Sequence, residues 1–455
     1  MRQVFKILIS FLLLLQFLFV AAQKTQLEIH QINVGNGDGA LINLYDNDKL
    51  VYTIVIDGGL ASSSSDFVPY LKNFIPDMEG HPGKKEIDWV ILSHNHQDHF
   101  NGLVQMFNDD AFIIREITDQ GGYGMGDGAY KMPLKDALNT NCVPFITRDL
   151  KNKKNKDKPQ PALSEYVKAV QRAYTRAKAF DGESITPGIV FDTTAKAFKN
   201  FRLPDIGGVE PVLYFIAANG FTRGLTTRDI GPGTYPNPNN FSFGWILEFG
   251  QFRFYSGGDL GGYPEGYTDQ ETQMAAYLTT KYPDNLPLTG IHTAQNFPGH
   301  VCVMKTNHHG STKSSRPEFL SALAYSAIVT SAGKHSRWKI PTVEFVDRVA
   351  DNPAFGAKQG IYFTQLYDYT KGNTALKEAK AKFAGKAAYD FIAPGPTADK
   401  QYSFVFLVKP KTSYTDPHGT RTVDIEEESL FTVNKVRTDT RAVSTQYVFL
   451  CHKPS

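Results

Sequence analysis

Four residues of metal-binding type fall within six positions of this chain. They are His94, His96, Asp98 and His99, and they directly follow the apolar run from Ile87 to Leu92. Alternate residues leaving a strand present their side chains the same way, so His94 and His96 can converge on one ion. Asp98 and His99 can reach a second ion. Imidazole and carboxylate donors without thiolate suit zinc, manganese or iron.

Two later segments can complete such a site. Met304 to Ser311 is a strand-like run that enters a His-His-Gly-Ser loop; His308 is the preferred ligand there, and His309 either replaces it or lies beside the ions. Phe254 to Asp259 is an apolar strand that ends in Gly-Gly and a carboxylate. Because a carboxylate has two oxygens, Asp259 can bridge two cations. The predicted metal ligands are therefore His94, His96, Asp98, His99, Asp259 and His308.

Asp57 ends another strand, in Ile-Asp-Gly-Gly. We expect its carboxylate to orient the histidine loop from behind rather than to bind an ion, as partners of metal-bound histidines commonly do. The alternative for Asp57 is an ordinary turn aspartate.

Strand-like and helix-like segments alternate along the chain, which predicts a layered α/β (α+β) domain. The strand-like segments are 27–34, 40–45, 51–56, 87–92, 212–216, 243–249, 252–256, 301–305 and 327–331, and the helix-like ones are 66–74, 163–177 and 343–350. The pattern loosens between about 109 and 240, which predicts a long insertion over the active face. We expect the main domain over 23–350, and over 351–455 either the completion of its fold or a small appended β-rich subdomain.

Residues 1–22 combine basic positions, an apolar run and Ala21-Ala22, as a cleaved signal peptide does. We therefore expect export to the periplasm or the extracellular space, with a retained membrane anchor as the alternative and no stable span in the mature chain. The formal net charge is +2, and Arg2 and Lys6 leave with the leader. The global charge thus gives no indication of nucleic-acid binding. Of Cys142, Cys302 and Cys451, at most two can pair within one chain.

The order Asp57, His94-X-His96-X-Asp98-His99, Asp259, His308 resembles the metallo-β-lactamase superfamily. Within it, the chain most resembles the hydrolase domain of ComEC-type DNA-uptake proteins. The matching segments are 33–39, 55–59, 239–242, 256–259, 308–311 and 331–333. The resemblance implies a four-layer αββα sandwich with C-terminal β additions and a pair of divalent metal ions, zinc or manganese, at one edge of its sheets. The channel of those DNA-uptake proteins has no counterpart in these segments.

Two departures from the superfamily pattern concern the site. No histidine occurs from Phe100 through Leu260, so the first metal site is short of one histidine ligand. ComEC-like relatives resemble this chain in having Asn-X-Ser in that interval, which implies that Asn240 or Ser242 faces the metals or the substrate; the alternative is a polar turn that caps a strand. The later Gly-His-Pro of the family is Lys339-Ile340-Pro341 here.

These observations predict a hydrolase that activates a water between two cations about 3.5 to 4 Å apart. In this hypothesis Asp98 assists with protons, Asn240, His309 and Ser311 hold substrate oxygens, and Ser242 supports the site. The resemblance favours a small or oligomeric phosphodiester as substrate. The alternatives are hydrolysis of another ester, amide or lactam, and a catalytically weakened metal-binding module of the same fold.

Overall fold

The computed structural model of the 455-residue chain describes the following parts: 23–60, 66–120, 161–188, 190–192, 197–225, 237–263, 268–280, 300–333, 339–352, 359–366, 375–384, 388–391, 402–416 and 419–451. The predicted signal peptide and residues 121–160 of the predicted insertion, including Cys142, lie outside these residues. No helix within the described parts is long and apolar enough to cross a membrane.

Two large sheets form the centre of the molecule. The first has nine strands: β1 (Gln26–Gln31), β2 (Ala40–Asp46), β3 (Lys49–Ile56), β4 (Lys85–Ile91), β5 (Phe112–Thr118), β6 (Thr186–Pro187), β18 (Tyr402–Val408), β21 (Leu430–Arg437) and β22 (Val443–Leu450). Their order in space is β22-β21-β18-β1-β2-β3-β4-β5-β6. The strands from β3 to β6 are parallel to one another, and the other neighbours are antiparallel.

The second sheet also has nine strands: β9 (Asn200–Arg202), β10 (Val212–Ala218), β11 (Phe221–Thr222), β12 (Gly244–Phe249), β13 (Phe252–Ser256), β14 (Val303–Lys305), β15 (Ala327–Thr330), β16 (Gly360–Phe363) and β17 (Ala388–Phe391). Their order is β11-β10-β12-β13-β14-β15-β16-β17, with β9 also paired to β10. Strands β13 to β17 are parallel. Two hairpins complete the described strands: β7 (Phe191–Asp192) with β8 (Ala197–Phe198), and β19 (Lys411–Asp416) with β20 (Gly419–Asp424).

Helices cover the outer face of each sheet. They are α1 (Phe67–Phe74), α2 (Gln97–Asn108), α3 (Pro161–Asp181), α4 (Gln270–Thr280), α5 (Pro317–Leu323), α6 (Val343–Ala350) and α7 (Ala375–Phe383). One apolar cluster lies between the sheets, where Ile29 and Trp89 of the first meet Trp245 and Phe254 of the second. A second cluster packs the first sheet against α1 to α3, and a third packs the second sheet against α4 to α7. The layers are therefore helix, sheet, sheet, helix.

This architecture confirms the predicted α+β class and the αββα layering. The segment 351–455 contributes strands to both sheets, since β16 and β17 extend the second and β18, β21 and β22 extend the first. Cys302 and Cys451 form a disulfide. It joins the residue before β14 in one sheet to the residue after β22 in the other.

Candidate metal centre

The predicted site residues gather at one edge of the sandwich because their strands end there. β3 and β4 are parallel neighbours in the first sheet and lead into Asp57 and His94. β13 and β14 are parallel neighbours in the second sheet and lead into Asp259 and His308. The carboxyl ends of parallel strands meet at the same edge of a sheet, so four loops distant in sequence converge.

The histidine loop is shaped by the change from strand β4 to helix α2. His96 has an extended backbone (φ −94°, ψ 151°) and Gln97 begins the helix. The helix is anchored by Phe100, Leu103 and Phe107, which share one buried face. His94 and His99 thereby lie on either side of the turn with fully buried rings.

Asp57 holds this loop from behind. Its Oδ2 lies 2.8 Å from His99 Nδ1 and accepts the Ser93 hydroxyl at 2.7 Å, and its Oδ1 accepts the Ser93 backbone N–H at 2.7 Å. These contacts fix the His99 ring with Nε2 directed into the site, as a carboxylate partner of a metal-bound histidine does. The structure thus places the Asp57 carboxylate behind the histidine loop, against His99 and Ser93.

A first ligand group consists of His94, His96, His308 and one oxygen of Asp259. His94 Nε2 and His96 Nδ1 lie 2.9 Å apart. Asp259 Oδ2 lies 3.7 Å from His94 Nε2 and 3.7 Å from His308 Nε2. Burial and the neighbouring His99 hold the pKa of His94 well below its usual range, and burial lowers the pKa of His308 to about 4. Both rings are therefore neutral near pH 7, the form that binds metals.

A second ligand group comprises His99, His309 and the other oxygen of Asp259, with Asp98 beside His309; Asp38 also offers an oxygen within 4.8 Å of the first three residues. Asp259 Oδ1 lies 3.4 Å from His99 Nε2 and 3.1 Å from His309 Nε2. Asp98 Oδ2 lies 3.8 Å from His309 Nε2. Burial opposes a charge on His309, but Asp259 and Asp38 raise its pKa to about 10. A cation entering this group would displace that proton.

The unsatisfied atoms of the second ligand group fit a divalent cation. His99 Nε2, His309 Nε2 and Asp259 Oδ1 are buried, and within the described residues both ring nitrogens approach the carboxylate oxygen, at 3.4 and 3.1 Å, without hydrogen-bond geometry. Buried polar atoms without a hydrogen bond destabilise the folded state, whereas an ion held among these three atoms would give each of them a bonding partner. Imidazole nitrogen and carboxylate oxygen are suitable donors for zinc or manganese.

His308 and His309, between which the sequence left the choice of ligand open, both have a ring nitrogen within 3.7 Å of Asp259. They have left-handed backbones, with φ 45° and 54°. This conformation is unfavourable for residues other than glycine, and such strain is concentrated at functional sites. The adjacent left-handed turns send His308 Nε2 toward one oxygen of Asp259 and His309 Nε2 toward the other.

Three other predicted residues stand around the ligand groups. The Ser242 hydroxyl accepts the backbone N–H of Asp259 at 3.2 Å and so supports the bridging carboxylate. Asn240 Oδ1 accepts the N–H of Thr268 at 3.0 Å. Ser311 Oγ accepts the N–H of Lys313 at 3.2 Å, so it stabilises its own turn. Asn240 and Ser311 thus each accept a backbone N–H, and Ser311 Oγ also lies 3.3 Å from Ser314 Oγ.

The neighbouring Asn239 is the amide that reaches the site. Its Nδ2 lies 3.4 Å from His308 Nε2. The segment 238–241 is a short 3₁₀ helix, whose tight winding turns adjacent side chains in different directions. The sequence analysis singled out this segment through Asn240, and the winding of the helix also brings Asn239 to His308.

Asp38 is a site residue that the sequence analysis missed. It is buried, and its Oδ1 lies 3.3 Å from His309 Nδ1, which also lies 2.9 Å from the Ser331 carbonyl oxygen. Asp38 follows Gly37, where a Cβ would fall 1.6 Å from the Asp98 carbonyl oxygen. Only glycine permits this approach of the turn to the histidine loop. The Gly37-Asp38-Gly39 sequence of this turn was the feature from which a role of Asp38 in the site could have been predicted.

A third group of metal-binding residue types lies apart from the site. His300, Cys302 and Cys451 are mutually close, with His300 Nε2 3.1 Å from Cys451 Sγ. Both sulfurs belong to the disulfide and provide no thiolate ligand.

Comparison with known proteins gives similarity of structure only. No family model and no curated protein matches the chain. It is similar to the metallo-β-lactamase fold protein YhfI from Bacillus subtilis, with 12% identity, coverage of 82% of this chain and 98% of that chain, and a TM-score of 0.34. It is also similar to Zn(2+)-bound PqqB from Methylobacterium extorquens, with 8% identity, coverage of 81% and 98%, and a TM-score of 0.34.

A further similar structure is CmlA, a diiron beta-hydroxylase from Streptomyces venezuelae, with 13% identity, coverage of 89% of this chain and 55% of that chain, and a TM-score of 0.32. Identities and scores this low carry no functional argument. The description of the fold therefore depends on the strand order and packing of this chain.

Proposed function

We propose that this chain is an exported metal-dependent hydrolase of the metallo-β-lactamase superfamily that cleaves phosphodiesters. The observation that carries the proposal is the sharing of Asp259 between two ligand groups, with one oxygen facing His94 and His308 and the other facing His99 and His309. A carboxylate in this position suits a pair of divalent cations. Export rests on the signal-peptide pattern of residues 1–22.

The two ligand groups suggest an assignment of ligands. His94, His96 and His308 would hold the first cation, and Asp98, His99 and His309 the second. In this assignment His308 supplies the ligand for which no histidine exists between Phe100 and Leu260. Both sites then have three protein ligands besides Asp259, and zinc and manganese are both compatible with the donor set.

When bound, two divalent cations supply Lewis acidity toward a substrate oxygen and make water an effective nucleophile near neutral pH. The residues of the chain supply position and proton transfer. Asp98 is the most accessible carboxylate of the two groups, with its side chain 35% exposed against 3% for Asp259. It can therefore exchange protons with a substrate in the opening. Asn239, beside His308, can donate its amide N–H to a substrate oxygen.

The preference for phosphodiesters comes from the resemblance to ComEC-type hydrolase domains. The composition of the site agrees with it, because two dications held by two carboxylates and neutral histidines would leave an excess of positive charge. Such a site attracts an anionic group. Small or oligomeric phosphodiesters, including nucleic acid, are the proposed substrates.

The test is hydrolysis by purified protein loaded with zinc or manganese. We expect turnover of bis-p-nitrophenyl phosphate or of an oligonucleotide, reduced at least about 100-fold in Asp98→Ala because a positioned proton-transfer group is lost. Asp110→Ala is the matched control, since Asp110 lies just beyond α2 with its side chain 90% exposed and should leave turnover unchanged. Undiminished turnover in Asp98→Ala would contradict the proposed role.

The choice of substrates separates the alternatives. Turnover of nitrocefin or a carboxylic ester without turnover of phosphodiesters would replace the phosphodiesterase assignment with hydrolysis of a lactam or ester. Two bound ions with no turnover on any of these substrates would indicate the catalytically weakened binding module.

A further inference from the structure

A lysine is buried directly beneath the candidate metal centre. Lys305 is the last residue of β14, and its side chain is 2% exposed. Its ammonium forms an ion pair with Asp38 Oδ2 and donates to the Gly258 carbonyl oxygen at 3.2 Å. Gly258 immediately precedes the bridging Asp259, so one cation contacts two segments that enter the site.

Asp38 turns its other oxygen toward the second ligand group. Its Oδ1 lies 3.3 Å from His309 Nδ1 and makes no hydrogen bond within the described residues, because the shorter contact of that ring nitrogen, 2.9 Å, is with the Ser331 carbonyl oxygen. One carboxylate oxygen of Asp38 also lies within 4.8 Å of a ligand atom of each of His99, His309 and Asp259. Asp38 is therefore a third carboxylate within reach of the second cation, after Asp98 and Asp259.

A third carboxylate would change what this site can do. More negative charge around a cation strengthens its binding, but it weakens the attraction that the cation exerts on an anionic substrate. A carboxylate that is already paired with a buried ammonium has much of its charge balanced and its position fixed. The Lys305 contact thus decides how much of the charge of Asp38 the second cation experiences.

We propose that Lys305 is a positioning residue of the second cation site. It balances the charge of Asp38 and holds this carboxylate behind His309, which keeps Asp38 out of the coordination of the cation and keeps the site positive toward an anionic substrate. This inference rests on the proposed two-cation site. A residue that only supported the metal site would weaken metal binding when removed. Removal of Lys305 should instead strengthen binding of the second cation while weakening hydrolysis.

The test is titration of Mn²⁺ into metal-free protein, followed by calorimetry or by the electron paramagnetic resonance signal of free Mn²⁺. We expect Lys305→Met to bind the second ion about tenfold more tightly than the wild type, since a unit positive charge near a dication is lost. We expect Asp38→Asn, which leaves the charge of Lys305 unbalanced, to bind it about tenfold more weakly. In metal-loaded Lys305→Met, turnover of bis-p-nitrophenyl phosphate should fall.

Two further variants keep the test decisive. The double variant Asp38→Asn/Lys305→Met removes both charges and should bind the second ion more tightly than Asp38→Asn alone, an outcome that can be measured even if Lys305→Met does not fold. Lys435→Met is the matched control, because Lys435 pairs with Asp390 at 3.0 Å with 18% and 16% of the two side chains exposed. It should leave affinity for Mn²⁺ unchanged.

Equal or weaker binding of the second ion by Lys305→Met, or no gain of the double variant over Asp38→Asn, would overturn the role of Lys305. A wild-type protein that binds fewer than two ions would instead contradict the proposed function on which this role rests. The two failures are therefore distinguishable in the same titration.

Discussion

Replacement of Asp57 by asparagine should weaken the second cation site without dismantling the fold. Asp57 is buried and accepts three hydrogen bonds, two from Ser93 and one from His99 Nδ1 at 2.8 Å. Asparagine keeps the size of the side chain but offers only one acceptor oxygen. If that oxygen accepts the Ser93 backbone N–H, the amide NH₂ faces His99 Nδ1, so two donors oppose each other and the ring loses its fixed orientation.

The size of the effect follows from these contacts. Loss of a carboxylate that orients a metal-bound histidine lowers metal affinity about 10- to 100-fold. This corresponds to about 1.4 to 2.7 kcal/mol for the second cation. The first cation should be affected less, because Asp57 reaches His94 only through the Ser93 hydroxyl, which lies 3.2 Å from His94 Nδ1.

The assay is calorimetric titration of metal-free protein with Zn²⁺ or Mn²⁺, fitted to two sites. Asp88→Asn is the matched control: Asp88 lies on the same strand that leads to His94 and accepts the Thr53 N–H at 2.7 Å, and burial raises its pKa to about 6. This variant should keep both metal affinities. Asp57→Asn with two wild-type affinities would refute the reasoning, because it would mean that His99 needs no partner.

Two further predictions concern stability. Burial opposes the ionisation of Glu28, but His30 and Lys24 lower its pKa from 4.5 to about 2. The ionised carboxylate therefore contributes up to about 3 kcal/mol to the free energy of unfolding above pH 4.5, and this contribution is lost as the pH falls toward 2. In urea unfolding, the difference in unfolding free energy between wild type and Glu28→Gln should therefore shrink from pH 5 to pH 3. Glu427→Gln, at an exposed residue, should show no such trend. A difference for Glu28→Gln that stays constant with pH would contradict the lowered pKa of Glu28. The variant with Cys302→Ala and Cys451→Ala should lose about 2 to 5 kcal/mol of unfolding free energy, because the disulfide closes a separation of 149 residues. Unchanged stability relative to the wild type under oxidising conditions would show that this crosslink does not constrain the unfolded chain.

The sequence predicted the convergence of the main site residues because each of them follows a strand. Asp57, His94, Asp259 and His308 all come directly after apolar segments, and parallel strands bring such ends to one edge. The apolar patterns likewise predicted the strands β3, β4, β13 and β14 that lead into these residues, whereas helix α2, which carries Asp98 and His99, was not among the predicted helices.

The rest of the site depends on features that no local pattern contains. His309 joins His308 because both have left-handed backbones, with φ 54° and 45°. Asn239 lies beside His308 because of the way a short 3₁₀ helix directs its side chain. Asp38 and Lys305 are 267 residues apart in sequence, and only the packing of the two sheets brings them together.

The central claim is that Asp259 joins two cation sites, and the metal content of the protein tests it most directly. Wild-type protein, loaded with Zn²⁺ or Mn²⁺ and then desalted, should retain about two ions per chain by inductively coupled plasma mass spectrometry. Asp259→Ala, with a fold unchanged by circular dichroism, should retain fewer than about one, while Asp110→Ala should retain the wild-type content. Retention of two ions by Asp259→Ala, or of almost none by the wild type, would contradict the account.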